Sequence, residues 1–101
     1  MASYNVTASV TSPPFDEWLC VGGNVLKMKR DASGNWTGSA NALNLVSPAP
    51  VHMKATGISG SPWTLKITFT PNGGGQPTNY SHTGAIPGNG LSDFQDQVKL
   101  S

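Results

Sequence analysis

The firmest pattern in this chain is an alternation. In residues 61–75, Trp63, Leu65, Ile67 and Phe69 alternate with Thr64, Lys66, Thr68 and Thr70. A period of two puts the four large apolar side chains on one face and the four polar ones on the other. The segment predicts a half-buried strand, closed by the turn signal Pro71-Asn72-Gly73-Gly74-Gly75. The same grammar recurs upstream. Tyr4, Val6, Ala8 and Val10 alternate with Asn5, Thr7, Ser9 and Thr11, and Ser12-Pro13-Pro14 ends the run. Proline donates nothing to a ladder, so this pair predicts an edge or a crossover. Residues 15–21 predict a second short strand, broken at Gly22-Gly23.

Residues 24–30 predict a third strand, with Leu26 and Met28 inward and Lys27 and Lys29 outward. A turn over 31–35 follows, with Asp31 at its entry and Gly34 free to take a positive φ. Residues 36–43 return as the fourth strand of a hairpin, with Trp36, Gly38, Ala40 and Ala42 inward. Three small residues beside a Trp predict close approach by a neighbouring layer, or a Trp lying across the gap. Val51, Met53 and Ala55 alternate with His52, Lys54 and Thr56, and this run is expected to form a second hairpin with 63–70. Residues 72–90 are rich in glycine and read as a long loop holding a short strand at 78–83. Ser92-Asp93-Phe94-Gln95 has the form of a capping box, which predicts a helical start before a last strand through Val98 and Leu100.

About seven short strands with turn signals every 8–12 residues predict an all-β fold. The expected architecture is one small antiparallel β-sandwich over residues 1–101, immunoglobulin-like or jelly-roll-like, with a small β-barrel as the alternative. The Cys…Trp…Cys pattern of true immunoglobulin domains is absent, so that label rests on strand number alone.

Composition narrows the chemistry. Charged residues make up 11 % of the chain against roughly 25 % in average proteins, so Asn, Ser, Thr, Gly and Pro keep the surface polar. Three Trp, three Phe and two Tyr argue against disorder. A net charge of +1 gives no field to steer nucleic acid or an anionic membrane, so neither is expected as a partner. No apolar run approaches the roughly 20 residues of a membrane helix. Cys20 is the sole cysteine, so no intrachain disulfide forms. Its neighbours Trp18, Leu19 and Val21 predict a buried, inert thiol. With no basic and apolar leader in the first residues, synthesis in the cytoplasm is slightly favoured and the final location stays open. The three sequons, at Asn5, Asn35 and Asn79, read as chance matches in a chain rich in Asn, Ser and Thr.

Catalytic and metal signatures are sparse, and no cofactor, metal or enzymatic activity is expected. Asp16 and Glu17 are adjacent and point to opposite faces of a strand, while Asp93 and Asp96 fall near an expected turn. All read as ordinary surface acids. One Cys and two scattered His, His52 and His82, do not make a zinc pattern. The oxygens of Asp31, Ser33 and Asn35 alternate as in a calcium loop, but the later bidentate Glu is missing and a hairpin turn explains them.

The aromatics carry more. Trp36 follows directly on the turn ending in Asn35, and Tyr80 sits within Pro77-Thr78-Asn79-Tyr80-Ser81-His82-Thr83. Rings among amides and hydroxyls, with little charge, suit a neutral polyhydroxylated ligand: the ring packs on C–H faces while polar groups bond to hydroxyls. Trp36, Asn35, Asn79, Tyr80 and His82 are therefore the expected ligand-binding residues of a non-catalytic, lectin-like module for neutral carbohydrate. The alternative is a protein–protein module, an assembly subunit or an inhibitor presenting residues 71–90. Low charge and the unprotected run at 4–11 would then suit homo-oligomerisation.

Overall fold

The alternating runs form strands whose apolar faces meet between two sheets. The structure, a computed structural model, describes residues 2–11 and 16–100; the Ser12-Pro13-Pro14 signal and Phe15 lie outside them. The strands are β1 (Ala2–Thr11), β2 (Asp16–Val21), β3 (Asn24–Leu26), β4 (Met28–Arg30), β5 (Trp36–Leu45), β6 (Ala49–Thr56), β7 (Pro62–Pro71), β8 (Thr78–Ala85) and β9 (Leu91–Val98). Five make one sheet in the order β4-β5-β1-β7-β8, and four make the other in the order β3-β2-β6-β9. All pairings are antiparallel. The result is a β-sandwich; the sheets do not close into a barrel.

The core follows the period-two rule. Trp63, Leu65, Ile67 and Phe69 of β7 are each at most 2 % exposed, and Val6 and Val10 of the neighbouring β1 are fully buried. From the other sheet, Leu19, Val21, Val51, Met53 and Ala55 close over them. Gly84 of β8 faces Trp63 in register, and a Cβ built there would lie 2.5 Å from the indole Cζ2. The indole therefore occupies the space that a side chain at 84 would need.

Five expectations about the strands change in the structure. First, residues 24–30 are two strands in different sheets. Val21 pairs with Asn24 across the two-residue turn Gly22-Gly23, whose φ values of +58° and +84° are those of a tight hairpin turn. The chain then crosses between layers at Lys27, so β3 belongs to the four-stranded sheet and β4 to the five-stranded one. Leu26 is buried and Met28 packs against the core, so the inward parity survives the crossing. Gly38 explains how the crossing fits: a Cβ there would lie 2.6 Å from the Lys27 carbonyl oxygen. The small residue does mark a close approach, made by the crossing chain.

Second, β6 and β7 do not form a hairpin. They lie in opposite sheets, because residues 57–61 carry the chain over the end of the sandwich. Third, of the edge or crossover expected after residue 11 the structure has the crossover: β2 belongs to the other sheet, while β1 lies between β5 and β7, hydrogen-bonded on both sides. Fourth, the inward set of β5 slips after Ala40. A bulge separates Tyr4↔Leu43 from Val6↔Ala40, Ala42 takes a φ of +57°, and its N–H donates to Asn5 Oδ1. Leu43 and Leu45 then fill the inner positions intended for Ala42. Fifth, the sequence 91–98 is strand from its first residue, because eight ladder pairs with β6 outweigh a local capping signal. The turn at 31–35 forms as expected, with Asp31 Oδ1 accepting from the backbone N–H groups of Ser33 and Asn35.

Glu17 is no ordinary surface acid. It pairs with buried Ala55, so its side chain turns inward, and its Oε2 is buried with no hydrogen-bond partner among the described residues. Burial, helped by the neighbouring Asp16 charge, pushes the carboxyl up from 4.5 to about 7. The folded state thus keeps a proton that the unfolded chain releases near pH 4.5. This contribution to stability is complete below pH 4.5 and is lost as pH rises through about 7. Because the group is only half-buried, the effect is held to about 1 kcal/mol, equivalent to about 4–8 °C in a domain of this size. Glu17→Gln is expected to raise the unfolding temperature by that amount at pH 8 and to change it little at pH 4. Thermal scans at both pH values check this; an equal shift at both would remove the titration as its cause.

Candidate functional site

The five ligand-binding residues expected from sequence lie in three places: Asn35 and Trp36 at the β4–β5 turn, Tyr80 and His82 on the inner face of β8, and Asn79 on its outer face. The inner-face register runs Trp36↔Val10, Val10↔Leu65 and Leu65↔His82, so three strand spacings, roughly 14 Å, separate Trp36 from His82. Asn35 ends the β4–β5 turn beside Trp36, and the Arg30 guanidinium lies 5.2 Å from the Trp36 ring centroid. Trp36 is partly buried against the core.

Tyr80 and His82 lie on the inner face of β8, facing β9. The Tyr80 hydroxyl donates to Asp96 Oδ2 at 2.7 Å, and His82 stacks on Phe94 with centroids 4.0 Å apart. Trp63 completes this cluster at 5.7 Å from both rings. Burial and then the Asp96 bond push the Tyr80 hydroxyl well above the usual tyrosine range, while the same bond, with the Gln97 N–H, lowers Asp96. These groups tie the two sheets together along one side. Asn79 points the other way, with its Oδ1 accepting from Thr68 on the outer face.

The outer face of the five-stranded sheet is a hydroxyl field with lysines. A shallow depression of about 740 Å³ is lined by Thr7, Ser9, Thr37, Ser39, Lys66 and Thr68, with Lys27 and Lys29 at one side. None of its lining residues is aromatic.

The outer face of the four-stranded sheet has a different character. Trp18 of β2 is 38 % exposed there, against 2 % for Trp63. It pairs with Lys54 of β6, which pairs with Asp93 of β9, so the three lie side by side across three strands. The adjacent row runs Val25, Cys20, His52, Gln95. His52 meets the Trp18 ring edge-on at 5.2 Å, and its Nε2–H donates to Asp93 Oδ1 at 2.6 Å. The Lys54 ammonium sits 5.8 Å from the Trp18 ring centroid. The ring is thus held by a histidine at its edge and a cation over one of its faces. A depression of about 500 Å³ continues from His52 along Gln95, Asp96 and Gln97, with Gly23 and Pro50 at its far side.

This cluster was only half legible in the sequence. His52 was expected to point outward and does. Trp18 sits in an apolar run that reads as core, and Asp93 falls within the false capping signal. Only the pairing of β2, β6 and β9 brings the three together. The same parity places Cys20 on this outer face, only partly buried, where the sequence predicts a buried thiol. It lies opposite His52 in the β2–β6 ladder. Among the described residues no group of three or more His, Cys, Asp or Glu side chains could hold a metal ion.

The chain matches no protein-family model, and no curated protein or solved structure matches it. Function is therefore argued from this geometry alone.

Proposed function

We propose that this protein is a non-catalytic binding module for a neutral carbohydrate, and that the ligand lies on the outer face of the four-stranded sheet against Trp18. The observation that carries the reading is the exposed Trp18 ring, flanked by Lys54, His52 and Asp93 on an open sheet face. An exposed indole offers a flat apolar surface to the C–H face of a sugar ring. Asp93 accepts hydroxyl hydrogen bonds, Lys54 donates them, and Gln95 and Gln97 do both. Opposite charges beside each other leave a polar face with little net charge, which suits an uncharged ligand. The strand scaffold fixes these groups in rows about 4.8 Å apart, so little ordering entropy is lost on binding.

Titrating the protein with a broad panel of neutral oligosaccharides, read by tryptophan fluorescence and by calorimetry, tests the reading. Trp18→Ala is expected to weaken binding by about tenfold or more while leaving the unfolding temperature nearly unchanged, because the ring stands outside the core. Silence across the whole panel, or binding that survives Trp18→Ala, would sink the proposal.

A further inference from the structure

The sandwich has four edge strands, and they are not alike. β3 and β4 are three residues each, too short to template much pairing. β9 is eight residues long but carries Asp93 and Asp96. β8 is also eight residues long, and Thr78-Asn79-Tyr80-Ser81-His82-Thr83-Gly84-Ala85 contains no Lys, Arg, Asp, Glu or Pro. It pairs with β7 on one side only, and no described strand lies beyond it. Short length, charge, proline and bulges are the devices that keep sheet edges from pairing. β8 has none of them: its ladder with β7 runs from Pro62↔Ala85 to Phe69↔Thr78 without a break in register.

From this edge we infer that the protein self-associates through β8, two copies pairing their β8 strands antiparallel about a two-fold axis to make one continuous ten-stranded sheet. The occupant is a second copy for two reasons. A foreign peptide added to an edge gains specificity from pockets for its alternate side chains. Here the inner positions are filled, Tyr80 by its bond to Asp96 and His82 by its stack on Phe94, and the outer ones are small and polar. What remains is backbone complementarity, which an identical antiparallel edge supplies in full, as an isologous interface requires. Electrostatics agrees: two neutral edges meet without repulsion, whereas two β9 edges would bring aspartates together.

The notion that residues 4–11 supply the pairing edge does not survive the fold, since β1 is central. The seam moves to β8, which the sequence marks only as a short strand at 78–83 inside a long loop. A two-fold axis perpendicular to the sheet also sets both four-stranded sheets on the same side. Both Trp18 faces would then point one way, so a surface-bound polymer could be engaged twice.

Antiparallel partners share a face, so an outer-face side chain at 81 meets either 81 or 83 of the other copy in a central register. Ser81→Lys with Thr83→Lys therefore confronts lysine with lysine whichever register forms. Sedimentation equilibrium over a concentration series is the experiment. The unmodified protein is expected to approach twice its 10.5 kDa chain mass, and the double lysine variant to stay at the mass of a single chain with the same circular dichroism. Gln95→Lys with Gln97→Lys on β9 is expected to leave the dimer intact. Amide exchange in the unmodified protein gives a second readout: protection in 78–85 should rise with concentration. A monomer at every concentration, a dimer that survives the β8 lysines, or a dimer broken only by the β9 lysines would each overturn the inference. Sugar binding plays no part in these readouts, so they stand or fall apart from the proposed ligand.

Discussion

Phe69→Ala is expected to destabilise the protein by about 3–5 kcal/mol, which is much of the roughly 5–15 kcal/mol that holds a domain of this size together. Phe69 has no solvent exposure and is the largest fully buried side chain. Its strand neighbours are Val6 of β1 on one side and Thr78 of β8 on the other. Removing the ring takes away its transfer free energy and leaves a void that two hydrogen-bonded neighbours cannot collapse into. Urea denaturation should show a much lower midpoint with an unchanged slope, the mark of lost stability without a change of denatured state. A loss below about 1 kcal/mol would mean that the alternating face of β7 is not the core.

Gly38→Ala is the second large effect, and it comes from backbone. The added Cβ would meet Met28 Sδ at 2.5 Å and the Lys27 carbonyl oxygen at 2.6 Å. The methionine side chain can swing aside. The carbonyl cannot, because it sits where the chain passes from one sheet to the other. The cost is expected at about 1–3 kcal/mol, as for other forced overpacking. Gly73→Ala makes the control: nothing lies within 4 Å of a Cβ there, and its φ is not in the left-handed region. That change should be neutral or stabilising by up to about 1 kcal/mol, since it only restricts the unfolded chain. Equilibrium unfolding of both variants decides the matter, and equal behaviour would remove the crossing at Lys27 as the cause.

The sequence discloses strands well where both faces differ, as in Trp63 to Thr70, because burial on one side imposes the period directly. It discloses partners poorly. Nothing in residues 51–70 separates a hairpin from two strands in opposite layers, since the inward parity is the same in both. β8 was half hidden for a related reason: an edge strand with small polar outer residues and a glycine looks like loop until β7 pairs with it. The candidate site suffers most from this blindness. Trp18, His52 and Asp93 come from three strands that are adjacent in space but not in the chain, so no local pattern could gather them. Conversely, Trp36 and Tyr80 both read as loop-tip aromatics, and two strands of one sheet, β1 and β7, hold them apart.

The central place of β1 has a consequence for the order of synthesis. Val10 pairs with Trp36 and with Leu65, so one flank of this strand waits for residues made about 55 positions later. At about 5–20 residues per second, the ribosome takes roughly 3–10 s to deliver β7. Throughout that interval Val6, Ala8 and Val10 have only β5 as a possible neighbour in their sheet, although β2, β3 and β6 of the opposite sheet are made before it ends. A nascent chain halted before residue 62 would therefore hold an open strand pair where the finished protein has its best-buried layer, and chaperone capture should peak there.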